Sequence, residues 1–231
     1  MKLNLQNQSV TIIGGGDFSD EDLDDCLTFG PTLISADGGA NSVDANKYKP
    51  DYIIGDLDSL RDRNFWKASG SKLIKIEEQD TTDFEKCLYS VQAASYFCVG
   101  FIGRRADHFL SVCSSIVKYR SKKVILVGNH DIIFHVPRIF EICLPVNTRL
   151  SLYPLQEVCG IEDIGLKWSI SGIKFNPLKL VGTSNVTIAR KVKVSLSNYG
   201  MLMILPRSCL TNVTEALDRI NLVAPGSLKA Q

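Results

Sequence analysis

Six short apolar runs in the first 127 residues leave few folds open to this chain: VTII (10–13), TLISA (32–36), DYIIG (51–55), KLIKI (72–76), YFCVGFI (96–102) and KKVILV (122–127). Each of the first five gives way to Gly, Asp or Glu, and several lead into a helical segment. Ser19 ahead of DEDL is a helix N-cap followed by acids in the first turn. In TTDFEKCLYSV, Phe84, Cys87, Leu88 and Val91 recur at helical spacing, with Thr81 or Thr82 as the cap. Alternation of this kind predicts an α/β domain, Rossmann-like, with a mainly parallel sheet flanked by helices.

Beyond about residue 128 the pattern changes. IIFHV, FEICLPV, RLSLYPL, LKLVGTSN, VKVSLSN and GMLMILP are strand-like runs punctuated by Gly, Pro and Asn, and amphipathic helices disappear. This part of the chain reads as all-β, a sandwich or small barrel. The boundary falls around Pro137, giving domains 1–137 and 138–231, and the closing APGSLKAQ reads as frayed.

A length of 231 residues with 45% hydrophobic content is ample for a buried core. The net charge of +1 offers nothing to nucleic acid or to an anionic membrane surface as main partner. MKLNLQNQSV lacks the apolar core of a signal peptide, and no apolar stretch approaches the roughly 20 residues of a membrane span. The reading is a cytoplasmic protein. Its seven cysteines contain no C-x-x-C pair and fall mostly in apolar segments, as reduced structural thiols do, and its three histidines show no ligand spacing.

The acids are distributed unevenly. Asp37 follows TLISA, Asp56 and Asp58 follow DYIIG, Asp80 and Asp83 follow KLIKI, and Asp107 follows YFCVGFI. In an open α/β sheet the carboxyl ends of the strands form the ligand-binding rim, and all six acids are predicted to lie along it. Ionised carboxylates one residue apart repel unless a cation or donor sits between them. Along an extended chain Asp56 and Asp58 point the same way. A pair so placed suits Mg²⁺, which prefers a few carboxylate oxygens completed by water and phosphate oxygens. The plainer alternative is a turn in which Asp58 caps the backbone.

Arg105 is the matching counter-charge, since its guanidinium fork suits phosphate oxygens. Arg104 beside it has two readings, a phosphate role like that of Arg105 or plain solvation, and solvation is the favoured one. Asp107 has three open roles: a partner for Arg105, a ribose contact, or the cap of a helix beginning near His108. Neither a G-x-G-x-x-G fingerprint nor a P-loop occurs, so Gly14-Gly15-Gly16 reads as a tight backbone passage. Gly38-Gly39 lies on the rim, where backbone N–H groups can approach a phosphate or base.

Taken in order, ADGGAN (36–41), PDYIIGDLDS (50–59), QDTTDFEKCL (79–88) and GRRADH (103–108) resemble the thiamine pyrophosphokinase family, and GLKWSI (165–170), GTSN (182–185) and YGMLMIL (199–205) extend the likeness. The resemblance implies a homodimer with an N-terminal α/β domain and a C-terminal β-sandwich that binds thiamine and forms the dimer. It implies transfer of the pyrophosphoryl group of ATP to the thiamine hydroxyl, giving AMP and thiamine diphosphate. Carried over, Asp56, Asp58 and Asp83 are the Mg²⁺-phosphate acids, with Arg105 among the catalytic groups. Asp37, Gly38, Gly39, Thr82, Arg105, Asp107 and His108 are on the nucleotide side. Gln79, Trp168, Ser184 and Asn185 are on the thiamine side, in a pocket completed across the dimer interface.

An indole face suits a cationic thiazolium, and Ser and Asn supply orienting hydrogen bonds. Without the resemblance Trp168 would be read as core and Ser184-Asn185 as a hairpin turn. Three positions depart from the family pattern: Arg104 replaces a common glycine, Leu57 a common Phe, and Val186 an acid that often follows Ser-Asn. Two rival functions stand beside this one, a pyrophosphokinase for another hydroxymethyl heterocycle such as a pterin, and a non-catalytic nucleotide or thiamine-diphosphate binding protein.

Overall fold

A computed structural model describes residues 2–220, and the closing APGSLKAQ lies outside the described residues. The described residues form two compact units, one of residues 2–115 with 124–129 and the other of residues 116–123 with 130–220.

In the first unit the strands are β1 (Leu3–Leu5), β2 (Val10–Ile13), β3 (Thr32–Ala36), β4 (Tyr52–Gly55), β5 (Lys72–Lys75), β6 (Val91–Ala93), β7 (Tyr96–Val99) and β8 (Val124–Val127). The helices are α1 (Asp20–Phe29), α2 (Arg63–Ala68), α3 (Asp83–Ser90) and α4 (Ala106–Lys118), whose last turn is counted with the other unit. Six strands pair in parallel in the order β8-β7-β2-β3-β4-β5, while β1 and β6 form a separate parallel pair. Residues Ile12, Ile34, Ile54, Phe97 and Leu126 are fully buried, as strands covered on both faces require.

The caps follow the sequence. Ser19 accepts from the Asp22 amide while Asp22 reaches back to Ser19, a full capping box for α1. Thr82, rather than Thr81, caps α3 through the Glu85 amide. The chain runs outward from β2 to β5 and then returns to place β7 on the other side of β2. The loops leaving β2 and β7 therefore diverge, which opens a crevice at the carboxyl ends of those strands.

The second unit is built from β9 (Asp131–His135), β10 (Ile139–Cys143), β11 (Arg149–Pro154), β12 (Val158–Ile164), β13 (Lys174–Phe175), β14 (Gly182–Val186), β15 (Lys191–Leu196) and β16 (Met201–Pro206). All its named pairings are antiparallel, in the orders β14-β11-β16-β9 and β10-β15-β12-β13. The rings of Phe134 and Phe140, on β9 and β10, lie 5.4 Å apart and join the two sheets in one core.

Two features of this unit differ from the sequence reading. Helices do not disappear, because α5 (Leu210–Asp218) follows the last strand. Its buried Leu210, Val213, Ala216 and Leu217 recur at helical spacing and are covered by the unit. Strand β12 also went unread, since its exposed Glu162 and its Gly160 mask a strand whose pairing is supplied by β15 and β13. No helix among the described residues is long and apolar enough to cross a membrane.

Candidate active site

Where β2, β3, β4 and β7 end, their loops line a cleft of about 490 Å³. Its floor and walls carry Gly14 to Gly16, Asp37 to Gly39, Asp56, Gln79, Thr82, Asp83, Lys86, Arg104, Arg105 and His108, all within the first unit. The size is that of a small-molecule site.

Asp37 opens a 3₁₀ turn directly after β3. It is 1% exposed and has φ +39, and its Oδ2 accepts from the Ser59 amide at 3.1 Å. Its Oδ1 is buried with no hydrogen-bond partner. Burial pushes the Asp37 carboxyl above its ordinary range. A buried carboxylate oxygen left unpaired is costly, so this atom calls for a cation or a donor that the chain does not itself provide.

Carboxylate oxygens of Asp37, Asp56 and Asp58 lie within 4.8 Å of one another. Asp56 and Asp58 do not converge by extended-chain alternation, as the sequence reading had it. Strand β4 ends at Gly55, and Leu57 between them is left-handed at φ +66. The Asp58 amide donates to Asp56 Oδ1 at 3.1 Å, and Ser59 Oγ donates to Asp58 Oδ1 at 2.9 Å. The turn and the acid pair are thus one device, although Asp56 rather than Asp58 accepts from the turn backbone.

Gln79 donates to Asp56 Oδ2 at 2.9 Å. The Asp58 amide and Gln79 hold the Asp56 carboxyl below its ordinary range. The three oxygen donors suit a hard divalent cation.

Asp83, at the first position of α3, is not one of that trio and pairs with Lys86, one helical turn along, at 3.1 Å. Lys86 Nζ is also 3.8 Å from Asp56 Oδ2, with 2% of its side chain exposed. Burial disfavours the Lys86 cation, but the facing Asp83 and Asp56 carboxylates raise its pKa on balance. For Asp83, burial outweighs Lys86 and raises the carboxyl. Lys86 escaped the sequence reading, yet its spacing of three from Asp83 on a helix was a visible signal.

Glu78 was also missed. Its carboxylate accepts from the Asp80 and Thr81 amides at 2.8 and 3.0 Å and from Tyr89 Oη at 2.9 Å, which fixes the loop carrying Gln79 to Thr82. Asp80 is exposed and does not line the cleft.

Arg105 and Asp107 form a two-bond pair at 3.2 and 2.7 Å, the first of the three roles open to Asp107, and both are solvent-facing. Arg104 is not merely solvated: Nη1 donates to Gly15 O at 3.0 Å and Nε lies 3.0 Å from Asp17. Gly14 passes so close to Gly100 that a Cβ would sit 2.5 Å from its carbonyl oxygen, which bears out the reading of a tight passage.

In the second unit, Trp168 is 55% exposed and therefore not core. Asn185 is buried and brackets the Trp168 backbone, accepting from its amide at 3.2 Å and donating to its carbonyl at 2.7 Å. Ser184 and Asn185 lie within β14 rather than in a hairpin turn, and Ser184 takes φ +62. The Lys167 ammonium sits 4.8 Å from the Trp168 ring centroid. Lys167, Trp168 and Asn185 form a cluster of their own.

Residues 23–127 match the family "Thiamin pyrophosphokinase, catalytic domain". Over 194 residues the chain is 27% identical to thiamine pyrophosphokinase 2 of Oryza sativa subsp. japonica, covering 70% of this chain and 73% of that protein. Identity to thiamine pyrophosphokinase 1 of Arabidopsis thaliana is also 27%, with the same coverage. Among solved structures, thiamin pyrophosphokinase from Candida albicans superposes with a TM-score of 0.73 at 20% identity, over 89% of this chain and 93% of that one. The yeast enzyme gives 0.72 at 18%, over 95% and 93%. The resemblance drawn from the motifs is borne out.

Proposed function

We propose that this chain, whose residues 23–127 match the thiamin pyrophosphokinase catalytic domain, transfers the pyrophosphoryl group of ATP to thiamine and releases AMP and thiamine diphosphate. The observation that carries the site assignment is the approach of the Asp37, Asp56 and Asp58 carboxylates to one another, one buried oxygen of Asp37 having no partner, with Asp37 and Asp56 lining a cleft walled by Lys86, Arg104 and Arg105 and the exposed Asp58 beside it. So many acids facing one cleft disfavour a mere binding module.

The three acids fit Mg²⁺, with Asp83 turned toward Lys86 as the neighbouring phosphate-side group. When bound, the ion would neutralise phosphate charge and orient the chain of the nucleotide. Asp37 thereby moves from the nucleotide side, where the resemblance set it, to the metal. Gln79 holds Asp56 in place, and Lys86 supplies a fixed positive charge beside it. Phosphoryl transfer asks the protein chiefly for position and charge neutralisation. The thiamine hydroxyl oxygen bonds to the β-phosphorus in line, the bond from the β-phosphorus to the α-bridging oxygen breaks, AMP leaves, and the hydroxyl proton passes to a carboxylate or to water.

Gly38, Gly39, Thr82 and His108 serve the nucleotide with Arg105, held by Asp107, on the phosphates. Trp168 offers its exposed face to the thiazolium, with Ser184 orienting the ring system and Asn185 fixing the Trp168 backbone. The N-terminal part acts as a Rossmann-like ATP domain and the C-terminal part as a thiamine-binding sandwich, in a homodimer that shares the site. A cytoplasmic location belongs to the same reading and is supported by seven free thiols.

The test is an end-point assay with ATP, Mg²⁺ and thiamine in which AMP and thiamine diphosphate are separated by chromatography. Equal amounts of both, dependent on thiamine and lost in Asp58→Asn, are expected. A pterin alcohol that replaces thiamine would change the acceptor, and tight ATP binding without turnover would leave a binding protein.

A further inference from the structure

Arg63 opens α2 and lies outside the cleft lining. Its guanidinium spends two donors on one acceptor: Nε at 2.9 Å and Nη2 at 2.5 Å both reach the carbonyl oxygen of Leu57. That carbonyl belongs to the peptide whose N–H is that of Asp58. In a trans peptide the two groups point in opposite directions in one plane, so whatever fixes Leu57 O also aims the Asp58 N–H. It is aimed at Asp56 Oδ1, 3.1 Å away.

The rest of Leu57 has little freedom. Its side chain is 4% exposed and packs with Ala40, Ile53, Leu60 and Trp66. Its φ of +66 is a conformation that a residue with a Cβ rarely adopts unaided. With the side chain anchored, rotation of the Leu57–Asp58 peptide plane is the backbone motion that would withdraw the Asp58 N–H from Asp56 Oδ1, and the Arg63 clamp opposes it.

We propose that Arg63 is a positioning residue for the divalent-cation site: by clamping the Leu57 carbonyl it locks the Leu57–Asp58 peptide, whose N–H holds the Asp56 carboxylate toward Asp37 and Asp58. The inference rests on the proposed role of those three acids. Arg63 reaches the site through one peptide plane and touches neither cation nor substrate. Backing groups of this kind typically change metal affinity 10–100-fold when removed.

The test titrates Mn²⁺ into the full-length protein without nucleotide, reading free Mn²⁺ by electron paramagnetic resonance. The proteins compared are wild type, Arg63→Ala, Arg63→Lys and Asp62→Ala. Asp62 caps the same helix through the Phe65 amide at 2.8 Å, so its loss weakens α2 without touching the Leu57 carbonyl. Arg63→Ala is expected to raise the Mn²⁺ Kd about ten-fold or more, Arg63→Lys to fall between, and Asp62→Ala to match wild type. In turnover, the Mg²⁺ concentration for half activity rises while the thiamine KM stays. Wild-type Mn²⁺ affinity in Arg63→Ala, or equal weakening in Arg63→Ala and Asp62→Ala, overturns the proposal. If Arg63→Ala does not fold, Arg63→Lys decides, with an intermediate Kd in support and a wild-type Kd against. No Mn²⁺ binding by the wild type removes the cation reading and this inference together, whereas wild-type binding with an indifferent Arg63 removes the inference alone.

Discussion

The Lys86 ammonium stands 3.1 Å from Asp83 Oδ1 with almost the whole lysine side chain out of solvent. A buried cation persists only with such partners, and here both partners, Asp83 and Asp56, border the reaction cleft. Replacing Lys86 by Met keeps the volume and deletes the charge, leaving those carboxylates to repel. Lys86→Met is expected to lose about 1–3 kcal/mol of stability and at least ten-fold in kcat. Urea denaturation and the AMP assay check the two; unchanged kcat would strip Lys86 of any catalytic role.

Asp37 sets function against stability. Because burial raises its carboxyl, the folded state holds that proton more tightly than the unfolded chain, so its contribution is fully present below the unfolded value of about 3.9 and is lost as pH rises through the folded value. Asn carries no titrating proton and tolerates the left-handed backbone found here. Asp37→Asn should therefore melt higher than the metal-free wild type at pH 7, with the advantage fading below about pH 4. Thermal melts across pH measure this. The same variant should lose Mn²⁺ binding.

Gly55 leaves room where two acids meet. A Cβ there would lie 2.6 Å from Asp37 Cβ and 3.0 Å from Asp83 Oδ1. Overpacking of this kind costs about 1–3 kcal/mol, and the strain falls on the two carboxylates. Gly55→Ala is expected to stay folded by circular dichroism while kcat drops by about ten-fold or more, each 1.4 kcal/mol of lost transition-state stabilisation being ten-fold. Wild-type turnover would show that the acids tolerate displacement.

Trp168 and Lys167 make opposite predictions for the acceptor. With the ring exposed and Lys167 over it at 4.8 Å, a cationic thiazolium must share or displace that ammonium. Trp168→Ala should raise the thiamine KM about 5–30-fold, from a cation–π contribution of about 1–2 kcal/mol, and leave the ATP affinity alone. Lys167→Gln should lower the thiamine KM. Steady-state kinetics with each substrate varied decide both, and an ATP effect in Trp168→Ala would move the ring to the nucleotide.

Six of the eight strands described in the first unit were legible because each lies in a contiguous apolar run, and the observed ends of β2 and β3 coincide with VTII and TLISA; β1 and β6, three residues each with a polar residue at the centre, went unread. The caps Ser19 and Thr82 were legible because capping is a contact over three residues. Strand β12 and helix α5 were harder: one is half polar and depends on β15, the other begins without a side-chain cap. At the site, Asp56 and Asp58 announced themselves by spacing. Leu57 did not announce its positive φ, since it is a residue that ordinarily avoids that region.

By itself the sequence determined the six core strands of the first unit and the two-part division of the chain, the placing of Asp37, Asp56, Asp58 and Asp83 after strands β3, β4 and β5, and the motif order that marks the family, because all of these are written in neighbouring residues. Only the tertiary structure decided which acids share a cation-sized space. Parallel pairing sets β3 beside β4, and with Gly55 lacking a Cβ the buried Asp37 comes against that strand end, while the Lys86 charge draws Asp83 to its own side. Grouping of this kind follows from distances between segments far apart in the chain, where electrostatics and steric exclusion act and local spacing carries no information.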